Sequence, residues 1–251
     1  MPRFKLLALD MDGTVLTDDK KITNTTKYWL NRAMEAGITV MFATGRGIQT
    51  AESYWLELGL DLPIVLVNGA EIWKRPGELM ERHFISREGV RKLHQLAVEH
   101  EARYWGYSVE SLSNDKNWTD EMFERDWLKF GIRHDHLPTI QRLRETVIGW
   151  GAFEVTRSAP VNMEISAPGI SKATGLAKVC DYLGIQMNEV MAIGDSHNDL
   201  HMIQSVGFGI AMDNAEDELK EAADAITSSN QENGVAHAIQ RYIFRDELEV
   251  S

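Results

Sequence analysis

The stretch "LALDMDGTVL", Leu7 to Leu16, closes an apolar run on two carboxylates one residue apart and then turns on Gly-Thr. The segment "FKLLALD", Phe4 to Asp10, is short and apolar on both faces, which predicts a buried strand of a parallel sheet. Asp10 and Asp12 then sit at the strand exit, where their charges repel. Taken alone, Asp-x-Asp-Gly-Thr is explained by an Asx turn, with Gly13 supplying a tight reversal. The remainder of the chain decides between a turn and a site.

Strand and helix patterns alternate after this first strand. "TNTTKYWLNRAMEAG" has helical spacing and stops on Gly37; "ITVMFAT" (38–44) reads as a second strand; "GIQTAESYWLELG" is a helix stopping on Gly59; "PIVLVNG" (63–69) is a third strand. Short links between such elements imply right-handed crossovers and a parallel sheet. The alternation breaks after Gly69. "EIWKRPGELMERHF" predicts a hairpin around Pro76-Gly77, followed by a helix over 87–100 and a polar, aromatic-rich region through Trp118. Helical patterns are expected near 120–130 and 139–146, and "AFEVTRSAPVNMEISA" as two strands meeting at 158–160. From Lys172 the α/β alternation resumes to a last helix from Asn233. The expectation is an α/β protein, with a Rossmann-like parallel-sheet core over 1–81 and 168–251 and an inserted α/β domain over 82–167.

The chain has 251 residues and a formal net charge of −12, which disfavours bulk nucleic acid or an anionic membrane surface as partner. The single cysteine, Cys180, lies in an apolar helical pattern and can form neither an internal disulfide nor a cysteine-rich metal cluster. No apolar run approaches the roughly 20 residues that span a bilayer. The apolar stretch before Asp10 is too short for a secretory signal, so a cytoplasmic protein is expected. No motif sets an oligomeric state.

In an open parallel sheet, ligands bind beyond the carboxyl ends of the strands. Those ends carry Asp10, Asp12 and Thr14; Thr44, Gly45 and Arg46; Asn68 and Gly69; and Asp195 with Asn198 and Asp199. Lys172 stands near the start of the helix after the insert. Each has an ordinary reading as turn or helix cap. Several carboxylates, a lysine and small polar residues on one edge point instead to phosphate chemistry. A phosphate monoester is a dianion, so a carboxylate that attacks it needs a hard cation held by oxygen ligands, for which Asp10 and Asp195 are the candidates. A lysine and backbone N–H groups can stabilise the phosphoryl oxygens, and a second acid can protonate the leaving oxygen.

These residues resemble the motifs of the haloacid dehalogenase-like (HAD) superfamily and, within it, the Cof-type phosphatases of subclass IIB. "LDMDGT" is similar to the first motif, "ATGR" to the second, "SKATGL" to the third and "GDSHNDLHMI" to the fourth, with "VNGAEI" and "GIAMDNAEDELKEAADAIT" also similar to the Cof pattern. The resemblance implies a Mg²⁺-dependent phosphatase acting on a small phosphorylated metabolite, a sugar phosphate or phosphorylated cofactor, through an aspartyl-phosphate. It makes Asp10 the nucleophile and Asp12 the acid/base, and gives Mg²⁺ to Asp10, Asp195 and the Asp12 carbonyl. Phosphate falls to Thr44, Gly45, Lys172, Asn198 and the Met11 N–H, with Asp199 orienting Lys172 or a metal-bound water. The insert is implied to be a cap that selects the substrate. It is shorter than usual, and Lys172 is followed by Ala173 where the family usually has glycine.

A phosphomutase or phosphotransferase on a sugar phosphate, and a non-catalytic phospho-ligand sensor, are the alternatives. The sensor's mark would be loss of Asp10, Asp12 or Lys172, and all three are present. Arg46, Trp105, Tyr107 and His197 are candidates for touching substrate. The other insert tryptophans, Trp118, Trp127 and Trp150, suit a small domain's own core. His134 and His136 read as a surface loop, because no third metal ligand accompanies them.

Overall fold

The computed structural model describes residues 4–244; the ends of the expected core segments, 1–3 and 245–251, lie outside the described residues. Five strands build a wholly parallel sheet: β1 (Leu6–Leu9), β2 (Thr39–Phe42), and, after the insert, three more near the end of the chain. Helices α1 (Asn24–Glu35) and α2 (Ile48–Glu57) make the first crossovers. Thr23 caps α1, its hydroxyl accepting the Thr26 N–H.

The third expected strand departs from expectation. β3 (Ile64–Leu66) touches the parallel sheet through a single bridge, Ala43 to Val65, and otherwise pairs antiparallel with β4 (Glu71–Arg75), itself paired with β5 (Glu78–Arg82). The Pro76-Gly77 hairpin thus captures β3 into a separate three-stranded sheet.

A second, antiparallel sheet follows. Helix α3 (Arg87–Glu99) leads to β6 (Arg103–Ser108), β7 (Leu112–Asn114) and β8 (Trp127–Arg133); α4 (Leu137–Gly149), β9 (Glu154–Thr156) and β10 (Asn162–Ser166) complete it, in the order β7-β6-β8-β10-β9. The helix expected over 120–130 is therefore a short 3₁₀ turn at Asp120–Glu124 followed by strand β8. The aromatic-rich region before Trp118 holds two strands rather than none. Helices α3 and α4 cover one face of this sheet and bury Phe130, Ile132, Ile165 and Trp127. The opposite face looks down on the parallel sheet.

The chain then returns through α5 (Lys172–Leu183), β11 (Val190–Gly194), α6 (Leu200–Ser205), β12 (Phe208–Ala211), α7 (Asp217–Ala222), β13 (Ala225–Ile226) and α8 (Gly234–Tyr242). The parallel sheet runs β13-β12-β11-β1-β2, so β1 lies between β11 and β2 and its strand end faces both neighbours' loops. A continuous apolar cluster fills this sheet and its helices, separate from the cluster under α3 and α4. Among the described residues, no helix is long and apolar enough to cross a membrane.

Candidate active site

Leu9 pairs with Ile193 and with Phe42, so Asp10, Asp195 and Thr44 emerge side by side at one sheet edge. The Asp10 N–H still donates to the Ile193 carbonyl at 3.0 Å, and the Thr44 N–H to that of Val65 at 2.9 Å. Asp10 is 4% exposed and Thr44 is buried. Ser171 caps α5 with a reciprocal Ser171–Thr174 box, and this fixes Lys172 in the first turn, pointing inward.

Lys172 is fully buried. Its Nζ donates to Asp10 Oδ1 at 2.6 Å and to Asp199 Oδ1 at 2.7 Å. Asp199 is fully buried as well, and its other oxygen accepts the N–H groups of Asp195 and Ser196 at 3.1 and 3.2 Å. Asp199 thus shapes the loop that carries Asp195 while holding the lysine. Thr14 donates to Asp195 Oδ1 at 3.2 Å. Gly13, at φ +79°, passes so close that a methyl there would lie 2.3 Å from Asp195 Oδ2. Only glycine fits, both for the left-handed backbone and for the approach.

Carboxylate oxygens of Asp10, Asp195 and Asp199 come within 4.8 Å of one another. Burial raises the Asp10 carboxyl to about 7 despite the opposing Lys172 charge, and burial with the charges of Asp10 and Asp199 raises Asp195 to about 9. Burial also works against the Lys172 ammonium, but the two carboxylates outweigh it and push its pKa up. Two buried acids and one half-buried one face a single lysine, more carboxyls than it can balance, which is why those of Asp10 and Asp195 are raised; with oxygen donors only, the set fits a hard divalent cation. Asp199 accepts from Lys172 and two amides, whereas Asp10 accepts from Lys172 and Asp195 from Thr14, so these two are the carboxylates that could hold such an ion.

Asp12 lies at the cleft mouth, its side chain 42% exposed. Arg46 grips it with two bonds of 2.6 and 2.7 Å, and Lys20 adds one of 2.7 Å. Burial raises its carboxyl, but the bonds from Arg46 and Lys20 prevail and hold it at about 2. Asp12 is thus a carboxylate here, pinned by two cations. Arg46 engages Asp12 while lining the cleft. Met11, between the two acids, is wholly buried.

The acids floor a cleft of about 320 Å³ whose opposite wall comes from the antiparallel sheet. Trp105 and Tyr107 line it, as do Arg46 and Asn198. His197 does not. It is half-buried beside a small recess behind Lys172, its Nδ1 3.3 Å from the Thr156 hydroxyl, and burial followed by the nearby Arg157 lowers its pKa. His134 and His136 sit on the far rim of the second sheet, where His136 meets Thr139.

Five residues lining the cleft were not anticipated from sequence: Lys20, Lys129, Ser158, Glu164 and Ser196. Lys129 Nζ donates to the Gly45 carbonyl at 2.7 Å and to Glu164 Oε2 at 2.9 Å; Asn68 donates to the same Glu164 oxygen at 2.6 Å and Ser158 to the other at 2.7 Å. The two sheets are joined elsewhere too. The Asn198 N–H donates to the Arg157 carbonyl at 3.1 Å, and the Arg157 guanidinium pairs with Glu216 and Glu218.

Burial raises the Glu164 carboxyl, but Lys129 and the bonds from Lys129, Ser158 and Asn68 more than offset this and hold it below its ordinary 4.5. A carboxyl depressed on folding contributes stability above its unfolded pKa and loses it as pH falls through the folded value. The chain is therefore expected to lose stability below about pH 4.5 partly through this group, and Glu164→Gln to lose less over the same range. Thermal unfolding from about pH 6 to pH 3 reads this; parallel curves for the two proteins would refute it.

A family model of haloacid dehalogenase-like hydrolases matches residues 7–142 and 134–239, nearly the whole chain. The chain is a haloacid dehalogenase-like hydrolase. Within the HAD-like hydrolases it is of the Cof type and a phosphate monoester hydrolase. It is similar to the 5-amino-6-(5-phospho-D-ribitylamino)uracil phosphatase YcsE of Bacillus subtilis, 36% identical over 95% of this chain and 96% of the relative. A second Bacillus subtilis protein of the same named activity, YitU, is 30% identical, with 94% and 97% covered. The crystal structure of a HAD-like hydrolase from Bacteroides thetaiotaomicron superposes with a TM-score of 0.78 at 29% identity, covering 95% of this chain and 99% of that one. The HAD-like core places the acids, and the antiparallel sheet roofs them.

Proposed function

We propose that the protein hydrolyses a small phosphorylated metabolite with Asp10 as nucleophile. The observation that supports this most directly is the buried Asp10–Lys172–Asp199 arrangement beside Asp195 on the cleft floor. An Asp10 carboxylate oxygen attacks phosphorus, the bond from phosphorus to the ester oxygen breaks, and Asp12 gives that oxygen a proton. The resulting aspartyl-phosphate is then attacked by water, Asp12 takes the water's proton, and phosphate departs with Asp10 restored. Lys172, Thr44, Gly45, Asn198 and the Met11 N–H bind the phosphoryl oxygens, where preorganised donors stabilise developing charge. Asp10, Asp195 and the Asp12 carbonyl would hold Mg²⁺, which supplies charge screening for the approach of carboxylate to phosphate.

The present grip of Arg46 and Lys20 on Asp12 suits the carboxylate, water-activating form. For Asp12 to deliver a proton to the ester oxygen, a substrate must draw those cations away, which raises the carboxyl toward protonation. Residues 1–81 and 168–251 act as the catalytic core in this reading, and 82–167 as the cap that selects the leaving group.

The named activity of the relatives makes 5-amino-6-(5-phospho-D-ribitylamino)uracil the first compound to assay, with p-nitrophenyl phosphate as a generic ester. The expected product, read by phosphorus NMR, is free phosphate in the presence of Mg²⁺. Chelation stops its release and Mg²⁺ restores it. An isomeric phosphate ester would assign a mutase instead, and the absence of turnover on any ester would refute the reading.

A further inference from the structure

Lys129 and Glu164 are 2% and 6% exposed, yet both line the cleft. Ile165 pairs with Phe130 across β10 and β8, and both side chains fill the core beneath α3 and α4. The flanking residues Glu164 and Lys129 must therefore point to the other, cleft-facing side. A bulge refines the placement. Tyr107 pairs with Lys129 and Ser108 with Trp127, so Leu128 is the extra residue, and it packs into the core of the parallel sheet.

The two partners differ in how fully they are satisfied. Glu164 accepts from Lys129, Asn68 and Ser158. Lys129 has three N–H donors, of which one goes to Glu164 and one to the Gly45 carbonyl. No third oxygen acceptor is present among the described residues; the Tyr107 ring lies 5.2 Å away. Stability does not account for such a pair, because apolar residues of similar volume commonly serve as well or better. Its position does suggest a use, since Gly45 follows Thr44 in the loop assigned to phosphate.

We infer that Lys129 is a specificity-determining residue whose third ammonium proton is donated to a leaving-group oxygen close to the ester carbon. The substrate class is a phosphate monoester of a hydroxylated carbon chain. Glu164 is a positioning residue: with the Gly45 carbonyl it fixes the ammonium at one place relative to the phosphoryl group. Trp105 and Tyr107 alternate on β6 with the inward-packed Tyr104 and give the carbon skeleton an apolar wall. The inference rests on the phosphatase reading above and adds what that reading leaves open, which part of the substrate the roof of the cleft recognises.

D-ribitol 5-phosphate and pentyl phosphate share a five-carbon chain and differ in its hydroxyl groups. The wild-type protein is expected to prefer the ribitol ester by about 100-fold or more in kcat/KM, as sites built to bond a hydroxyl do. Lys129→Met is expected to reduce this preference at least about tenfold, through the ribitol ester. Because that variant leaves Glu164 as a buried, unpaired carboxylate, the double variant Lys129→Met with Glu164→Met is measured beside it, and is expected to fold and remain unselective. An equal fall on both esters in Lys129→Met would overturn the inference, since Lys129 would then serve the phosphate or the fold. Recovery of the preference in the double variant would overturn it too, because Lys129 would then act only by neutralising Glu164. Wild-type protein that hydrolyses neither these esters nor p-nitrophenyl phosphate would refute the phosphatase reading itself.

Discussion

Asp10→Asn is expected to lose phosphate-ester hydrolysis by on the order of 10³-fold or more, with no loss of thermal stability. The amide is nearly the same shape but cannot form the acyl-phosphate bond, so the route closes at its first step. The fold gains rather than suffers. Asp10 is a buried acid near two others, with its carboxyl raised by that burial to about 7. Replacing it removes repulsion, and the amide oxygen can still accept from Lys172. Steady-state rates on p-nitrophenyl phosphate and a melting curve without added metal test both halves. A rate within about tenfold of wild type would end the nucleophile assignment.

Lys172→Met is expected to fail in both respects. The side chain it replaces is, among the described residues, the one cation bonded to both Asp10 and Asp199, and none of the three is more than 4% exposed. Breaking a buried pair from one side costs about 3–5 kcal/mol, because the carboxylates stay behind without a partner. For a chain of this size that corresponds to a melting temperature lower by roughly 10 °C. Activity falls as well, since Asp199 also braces the Asp195 and Ser196 amides and shifts when its cation is lost. Added Mg²⁺ is expected to recover part of the melting temperature, by screening the acids, and little of the rate. A variant as stable as wild type in the absence of metal would show that the lysine does not hold these carboxylates together.

The floor of the cleft was legible in the sequence because parallel strands deliver it. A strand end fixes where the next residue stands, so Asp10, Thr44 and Asp195 could be placed on one edge from the order of apolar runs alone. Its roof was not legible, for identifiable reasons. "WLKFGI" is a short apolar run, which periodicity cannot divide between strand and helix, and Trp127 to Phe130 proved to be strand. Gly106 and Gly131 weaken β6 and β8 as strand patterns, yet a methyl on either would strike Trp127 or Trp105 at 2.7 or 2.2 Å. The glycines that obscured the strands are what let the tryptophans pack. Lys129 and Glu164 lie 35 positions apart and meet only through the register of β8 and β10, which no local pattern contains. A lone charge within an apolar strand was the one available signal.

Arg46 illustrates a different limit. Its position beside the second strand was readable, but its engagement with Asp12 depends on where Lys20 and the turn after Gly13 bring that acid. Asn214 and Asn230 settle this turn, donating to the carbonyls of Gly13 and Leu16 from about 200 residues away.

The bond from the Asn198 N–H to the Arg157 carbonyl joins the loop of Asp195 to the roof through main-chain atoms alone. Apart from proline at position 198, no side-chain replacement deletes such a bond directly. Lys129 and Glu164, by contrast, are joined entirely by side chains. Drift in the roof can therefore exchange one leaving group for another while the alignment of roof over acids survives, so new substrates can be acquired without the chemistry having to be rebuilt.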